Sequence, residues 1–241
     1  MLAPQTYVAA LRRDGEALAA LANGTLDRPV PSCPGWSVED LVRHVGQVHR
    51  HKLAIIDVGG TARPDVPWPP DAPEGSALIA WYRDGLEQLA ARLETTAPET
   101  PAYSWAGDHR VAFWQRRMAQ ETLVHRWDGD DAVGNPGPLD AALAADGIDE
   151  YLTAFLPDPD FPVADHRGTV AITSIDTHDT WWVDTRHWPP DVRRGELPAD
   201  VLAAGTAEQL LLVLWRRRPP STVSVTGDDA VLAAMLAAAD L

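Results

Sequence analysis

The pattern of apolar residues changes near residue 160, and this change limits the folds open to the chain more than any other feature. Before it, apolar side chains recur every three or four residues over long segments, which is typical of amphipathic helices. After it, short runs rich in β-branched and aromatic residues favour strands. We therefore predict an α+β protein, with a helical bundle in residues 1–156 and a smaller α+β domain in residues 163–241.

Proline and glycine clusters divide the first part into helices. The predicted helices are residues 7–22, 38–58, 76–94, 113–133 and 139–155. Ser37 precedes the second helix and Asp40 lies three residues later, which is the pattern of a capping box. The first four helices predict a four-helix bundle, and the fifth leads out of it.

The second part mixes strands and helices. The predicted elements are strands at residues 169–173, 180–184 and 222–226 and helices at residues 204–216 and 229–239. The proline-rich segment at residues 64–73 is predicted to be a loop that forms a lid or a rim.

Composition excludes several classes of partner. With 20 basic and 35 acidic residues the formal net charge is −15, which opposes binding to nucleic acid or to an anionic membrane. The amino terminus lacks the features of a signal peptide, and no window approaches about 18 uninterrupted apolar residues. We expect a cytoplasmic protein that is a monomer or a homodimer.

Glu121 and His125 lie four residues apart in the predicted fourth helix, so their side chains face the same way. A carboxylate and an imidazole at this spacing can hold one metal ion, and His44 on the second helix could complete a three-ligand site with an open position. The structural alternative is a buried, hydrogen-bonded trio. Cys33 is the only cysteine, which excludes a disulfide within the chain and a Cys-based structural zinc site.

Other polar residues favour structural interpretations. His49 and His51 lie at offsets from His44 that point elsewhere, so we predict surface or rim residues and not ligands, with substrate contact as the alternative. Cys33 is predicted to have a packing role, with a reactive thiol as the alternative. The acidic cluster that includes His178 and His187 is predicted to lie on the solvent side of a hairpin.

Three blocks of this sequence together resemble the mycothiol-dependent maleylpyruvate isomerase family, whose amino-terminal half is a DinB-like helical bundle. They are residues 31–44, which include Cys33-Pro34-Gly35-Trp36 and end at His44, residues 121–128, and residues 205–217 followed by residues 225–228. The sequence departs from the family at Gln120, where many members have histidine, and at Gly129-Asp130. Neither departure removes a ligand.

The resemblance implies a divalent metal, usually zinc, held by His44, Glu121 and His125, with water or the thiol of mycothiol at the open position. A metal-bound thiol is deprotonated and nucleophilic. In the isomerase the thiolate would add to an activated double bond, permit rotation, and leave. Arg217 best matches the family's arginine that meets the substrate carboxylate, although Arg216 and Arg218 are close enough to leave the choice open.

We therefore predict an enzyme that uses a metal and mycothiol for isomerisation of an electrophilic small molecule, or for thiol transfer to it. One alternative is a metal hydrolase on the same scaffold that needs no thiol. Another is a non-catalytic protein that binds a metal or a ligand.

Overall fold

The computed structural model describes residues 1–157 and 167–238. The chain divides into two compact units, Met1–Gly137 and Pro138–Leu241. This division lies earlier in the chain than the boundary predicted between residues 156 and 163. The reason is that the helix predicted at residues 139–155 packs against a helix of the second unit.

The first unit is the predicted four-helix bundle. Its helices are α1 (Pro4–Ala22), α2 (Val38–Val58), α3 (Ser76–Thr95) and α4 (Val111–Ala132). Helix α1 packs against α3 and α4, and α2 also packs against both. Within the described residues, no helix combines the length and the apolar character needed to cross a membrane.

Helix α2 begins with the predicted capping box. The Ser37 hydroxyl accepts a hydrogen bond from the Asp40 backbone N–H at 3.2 Å, and the Asp40 carboxylate accepts one from the Ser37 backbone N–H at 2.9 Å. These bonds satisfy backbone donors that have no partner within the helix. They fix the start of α2 two turns before His44.

Helix α4 is buried along most of its length, and the buried set includes charged residues such as Arg117, His125 and Asp128. Charged groups removed from water require opposite charges or hydrogen-bond partners. The buried charged residues in the middle of α4 therefore need polar partners close by.

The second unit is built on one mixed sheet. Its elements are α5 (Ala141–Glu150), a π-helical turn (Tyr151–Phe155), β1 (Thr169–Ser174), β2 (Thr180–Asp184), β3 (Asp191–Arg194), β4 (Val201–Gly205), α6 (Ala207–Leu214), a 3-10 turn (Pro220–Thr222), β5 (Ser224–Gly227) and α7 (Asp229–Ala238). The strand order is β3-β2-β1-β4-β5. Among the strand pairs of the described residues, β1–β4 is parallel and the other three are antiparallel.

Several predicted elements of this unit need correction. Strands β3 and β4 were not predicted, and Ala204, predicted to be helical, lies in β4 because it pairs with Thr173 of β1. Thr222 belongs to the 3-10 turn and not to the predicted strand, which starts at Ser224. Residue 239, the last of the predicted final helix, lies outside the described residues.

Neighbouring tryptophans of β2 contact different partners. Trp181 is fully buried, and its indole N–H donates to the Asp149 carboxylate of α5 at 3.2 Å. The indole N–H of Trp182 donates to the backbone carbonyl of Pro198 at 2.9 Å. Because neighbouring side chains in a strand point to opposite faces, the link of residues 195–200 covers the sheet face opposite α5.

Candidate metal centre

The structure brings the three predicted ligands together between α2 and α4. The Nε2 atoms of His44 and His125 each lie 3.4 Å from Oε1 of Glu121. His125 is buried, whereas 31% of the His44 side chain is exposed, so the cluster can be reached from one side. The Trp36 ring lies against the His44 ring, with 5.0 Å between centroids.

These distances suit a metal ion. Ligand atoms about 2.0–2.1 Å from a tetrahedral zinc ion are roughly 3.3 Å apart, close to the spacing seen here. A separation of 3.4 Å is longer than the usual range for an N–H···O hydrogen bond. Two imidazoles and one carboxylate also form a donor set that zinc and related divalent ions accept. The residues present therefore fit a three-ligand metal site.

Asp128 orients His125. Its fully buried carboxylate lies 2.9 Å from Nδ1 of His125, which leaves Nε2 directed at the ligand cluster. The other carboxylate oxygen accepts a hydrogen bond from the Ser32 hydroxyl at 2.6 Å. A carboxylate behind a ligating histidine fixes the ring and its tautomer. Sequence reasoning missed this role, although Asp128 is three residues from His125 on one helix.

Arg117 holds the carboxylate of Glu121, one of the three predicted ligands. Its guanidinium donates to Oε2 of Glu121, one turn along α4, and leaves Oε1 for the two histidines. Burial would raise the pKa of Glu121, but Arg117 and the two histidines outweigh it and hold that pKa well below its usual value. Glu121 is therefore a carboxylate ready to bind a cation.

The same balance acts on His125. Burial would lower its pKa, but the carboxylates of Glu121 and Asp128 outweigh it and raise the pKa to about 9. The carboxylates around His125 therefore favour its protonated form, whereas a histidine that ligates a metal ion must be neutral. A metal ion would replace that proton.

A second set of side chains overlaps the first. Among the described residues, Cys33, His125 and Asp128 could also hold an ion. The Cys33 sulfur lies 3.7 Å from the same Asp128 oxygen that bonds His125. Because both Asp128 oxygens already hold Ser32 and His125, we favour the His44, Glu121 and His125 set. The predicted packing role of Cys33 includes this contact with the carboxylate behind the site.

The prediction for His49 was wrong. This residue is fully buried, and its Nε2 lies 2.9 Å from the Thr122 hydroxyl of α4. Burial lowers its pKa to about 3, so the ring is neutral at physiological pH. The helical period places His49 on the same face of α2 as the buried Val42 and Val45, which was the signal that should have been used. His51 is half-buried.

The remaining predicted residues lie in the second unit. Arg217 is half-buried just after α6, where its guanidinium donates to the Trp215 carbonyl at 2.9 Å. The Arg216 guanidinium donates to the Leu236 carbonyl of α7 at 2.6 Å. His178 and His187 are exposed at and beyond the β1–β2 hairpin, as predicted.

A four-helix bundle with an inward-facing His/Glu/His set, followed in the chain by a mixed-sheet unit, defines the class of DinB-like bundle proteins with an added carboxy-terminal domain. The model described as "Mycothiol maleylpyruvate isomerase N-terminal domain" matches residues 8–128. The "MDMPI C-terminal domain" model matches residues 142–234. The chain belongs to the mycothiol-dependent maleylpyruvate isomerase family.

Solved structures agree on the fold. The chain is similar to the crystal structure of a mycothiol-dependent maleylpyruvate isomerase, with 11% sequence identity, 93% of each chain covered and a TM-score of 0.60. A histidine-to-alanine mutant of a mycothiol-dependent maleylpyruvate isomerase gives 11% identity, the same coverage and a TM-score of 0.62. No curated protein sequence matches this chain.

Proposed function

We propose that this protein is a metal-dependent enzyme that activates mycothiol, or a similar low-molecular-weight thiol, toward an electrophilic small molecule. The reaction is isomerisation of that molecule or transfer of the thiol to it. The observation that carries the proposal is the placement of two histidine Nε2 atoms 3.4 Å from one Glu121 oxygen. Family membership supports mycothiol as the thiol.

His44, Glu121 and His125 would hold the ion, for which zinc is our choice. When bound, it would supply a positive charge that favours the thiolate form of a thiol near neutral pH. Asp128 keeps the His125 ring in one orientation, and Arg117 binds one Glu121 oxygen, which would leave the other oxygen for an ion. The exposed edge of His44 leaves a side from which a thiol and a substrate can approach.

For isomerisation, the proposed substrate contains a double bond conjugated to an electron-withdrawing group. The thiolate sulfur bonds to one carbon of the double bond, and the electron pair moves onto the electron-withdrawing group. Rotation about the remaining single bond follows, and the thiolate then leaves and restores the double bond. Arg217 is our proposed contact for a substrate carboxylate, with Arg216 and Arg218 as alternatives.

The first test measures metal content per chain by elemental analysis, on protein purified without chelators or affinity metals. The wild type is compared with Glu121→Ala and with Glu87→Ala, which removes an exposed carboxylate paired with Arg12 on the same bundle. We expect near-stoichiometric zinc in the wild type and in Glu87→Ala, and almost none in Glu121→Ala. Absence of metal from all three would contradict the proposal.

The second arm measures turnover of electrophilic substrates with and without mycothiol. We expect thiol-dependent turnover that is lost in His125→Ala while folding is retained, and a raised KM in Arg217→Gln. Turnover that persists without thiol would support the metal hydrolase instead. Tight binding of a ligand without any turnover would support the non-catalytic protein.

A further inference from the structure

A cavity of about 470 Å³ opens on the bundle near the carboxy-terminal half of α2. Its walls come from α2, from the start of α4 and from the two loops that precede α3 and α4. The lining residues used below are His51, Lys52, Trp68, Tyr103, Trp105 and Trp114. None of the three proposed metal ligands lines it.

Lys52, the only lysine of the chain, brings an unbalanced positive charge to this cavity. Its Nζ lies 3.0 Å from Nδ1 of His51 and 5.7 and 5.4 Å from the ring centroids of Trp68 and Trp114. Among the described residues, no carboxylate forms an ion pair with it. Lysine is almost never fully buried without such a pair, and Lys52 is half-buried. Burial also lowers the pKa of Lys52 to about 8, although the negative charge of Glu121 acts to raise it.

Two of the tryptophans that line the cavity are exposed to solvent. Trp68 and Trp105 are 52% and 40% exposed, more than any other tryptophan among the described residues. The Trp114 indole N–H donates to the Tyr103 carbonyl at 2.9 Å and ties the second loop to α4. The Trp105 ring packs edge-on against Trp114, with 5.6 Å between centroids. Exposed indole surface of this kind is typical of ligand-binding sites.

The cavity lies along the same pair of helices as the metal ligands. Lys52 follows His44 by eight residues of α2, which is about 12 Å, and Trp114 precedes Glu121 by seven residues of α4, which is about 10 Å. Two turns of helix return Trp114 to the same side of α4 as Glu121. A ligand of modest length could therefore reach from the cavity to the metal ligands.

We propose that this cavity is a binding subsite for a carboxylate with a flat aromatic or conjugated body. The carboxylate pairs with the Lys52 ammonium, and the body stacks on the exposed indole rings. If the proposed function is correct, this ligand is the substrate of the enzyme. The binding of such a ligand to the cavity does not depend on that function. Arg63 and Asp65 also line the cavity, are exposed and oppose each other in charge, so Lys52 decides the sign of the group that binds.

The test is isothermal titration calorimetry with 2-naphthoate and with 2-naphthalenemethanol, which share a ring system and differ in charge. The proteins are the wild type, Lys52→Gln and a matched control, Arg92→Gln, which removes a cation that pairs with Asp57 on another face of the bundle. We expect the acid to bind the wild type and Arg92→Gln equally, and Lys52→Gln at least about tenfold more weakly. We expect the alcohol to bind the wild type and Lys52→Gln equally weakly.

Any of three results would overturn the proposal. The acid does not bind the wild type, it binds Lys52→Gln as tightly as the wild type, or the acid and the alcohol bind the wild type equally. A second measurement does not depend on a variant. Reductive ¹³C-methylation labels only Lys52 and the amino terminus, and 2-naphthoate should shift the Lys52 signal alone; a shift of neither signal would again overturn it.

Repeating the titration on chelator-stripped wild type separates this proposal from the proposed function. Acid binding that survives metal removal supports the subsite, whatever the turnover assays show. Acid binding that disappears with the metal would place the carboxylate on the ion and overturn the role of Lys52.

Discussion

The proposed metal-ligand cluster (His44, Glu121 and His125) and the Lys52 cavity occupy the same two helices but differ in how their charges are balanced. Glu121 is held by Arg117, and His125 by Asp128, so the protein itself supplies a partner for each buried charge in the cluster. Lys52 touches two indole rings and a histidine but no carboxylate among the described residues. The charges of the cluster are therefore paired within the protein, whereas the charge of Lys52 has no carboxylate partner among the described residues.

Replacing His49 tests which polar groups between α2 and α4 are purely structural. We expect His49→Ala to lower the free energy of unfolding by about 2–4 kcal/mol, since it leaves a void and breaks the bond with Thr122. Urea denaturation of metal-free protein measures this, with exposed His187→Ala as the control, expected to change it by less than about 0.5 kcal/mol. Loss of metal without loss of stability would instead add His49 to the ligand set.

Replacing Asp128 would break the balance of the cluster itself. We expect Asp128→Ala to weaken metal binding by about 10- to 100-fold, because the His125 ring loses the carboxylate that orients it. Competition with a chromogenic chelator gives the Kd, and circular dichroism checks folding. Asp130→Asn is the control, because Asp130 pairs with Arg126 and does not contact His125. Equal Kd values for the two variants would mean that Asp128 does not tune the site.

Replacing Lys52 should change the free energy of unfolding less than replacing His49, and the change should depend on pH. The folded pKa of about 8 lies below the value of 10.5 for an exposed lysine, so between these values the unfolded chain holds a proton that the folded chain has lost. Stability therefore rises with pH across that window. We expect Lys52→Met to be more stable than the wild type by about 1–2 kcal/mol at pH 7, with the difference vanishing near pH 10.5.

Urea denaturation of the wild type and Lys52→Met at pH 7.5 and pH 10 measures the difference between their free energies of unfolding. The contributions of tyrosines and terminal groups cancel in this difference, because these groups titrate in both proteins. A difference that does not change with pH would show that the Lys52 ammonium is fully hydrated. The cavity would then hold no partly desolvated charge.

The sequence was sufficient for features that depend on residues close together in the chain. The capping box at Ser37 and Asp40 and the shared face of Glu121 and His125 follow from helical spacing alone, and the structure contains both. Strand β4 could not be predicted in this way. Its residues Val201–Gly205 include two alanines and a glycine, which are depleted in strands, and they become a strand because they pair with β1, far away in sequence. Strand β3 is mostly exposed and polar, so periodicity gave no signal.

The candidate site shows the same limit. The ligand set was predicted from residue type and spacing, aided by the family resemblance. The burial of His49 was missed because its offset from His44 on α2 directs it away from the ligand set, and that direction was equated with the surface, although this face of the helix is apolar. The Lys52 cavity could not be predicted, since it depends on how two loops bring Trp68 and Tyr103 beside α2.

The link of residues 195–200 has a geometric consequence for the second unit. It joins β3 to β4, which are three strand positions apart, or about 14 Å across the sheet. Because β3 and β4 run in the same direction, the link must also return along the strand direction before β4 begins. At about 3.4 Å per residue, the connection has little spare length and must cross the sheet diagonally. The order of the strands thus sets a minimum chain length for this connection, and the carbonyl of Pro198 marks where the taut segment passes over Trp182.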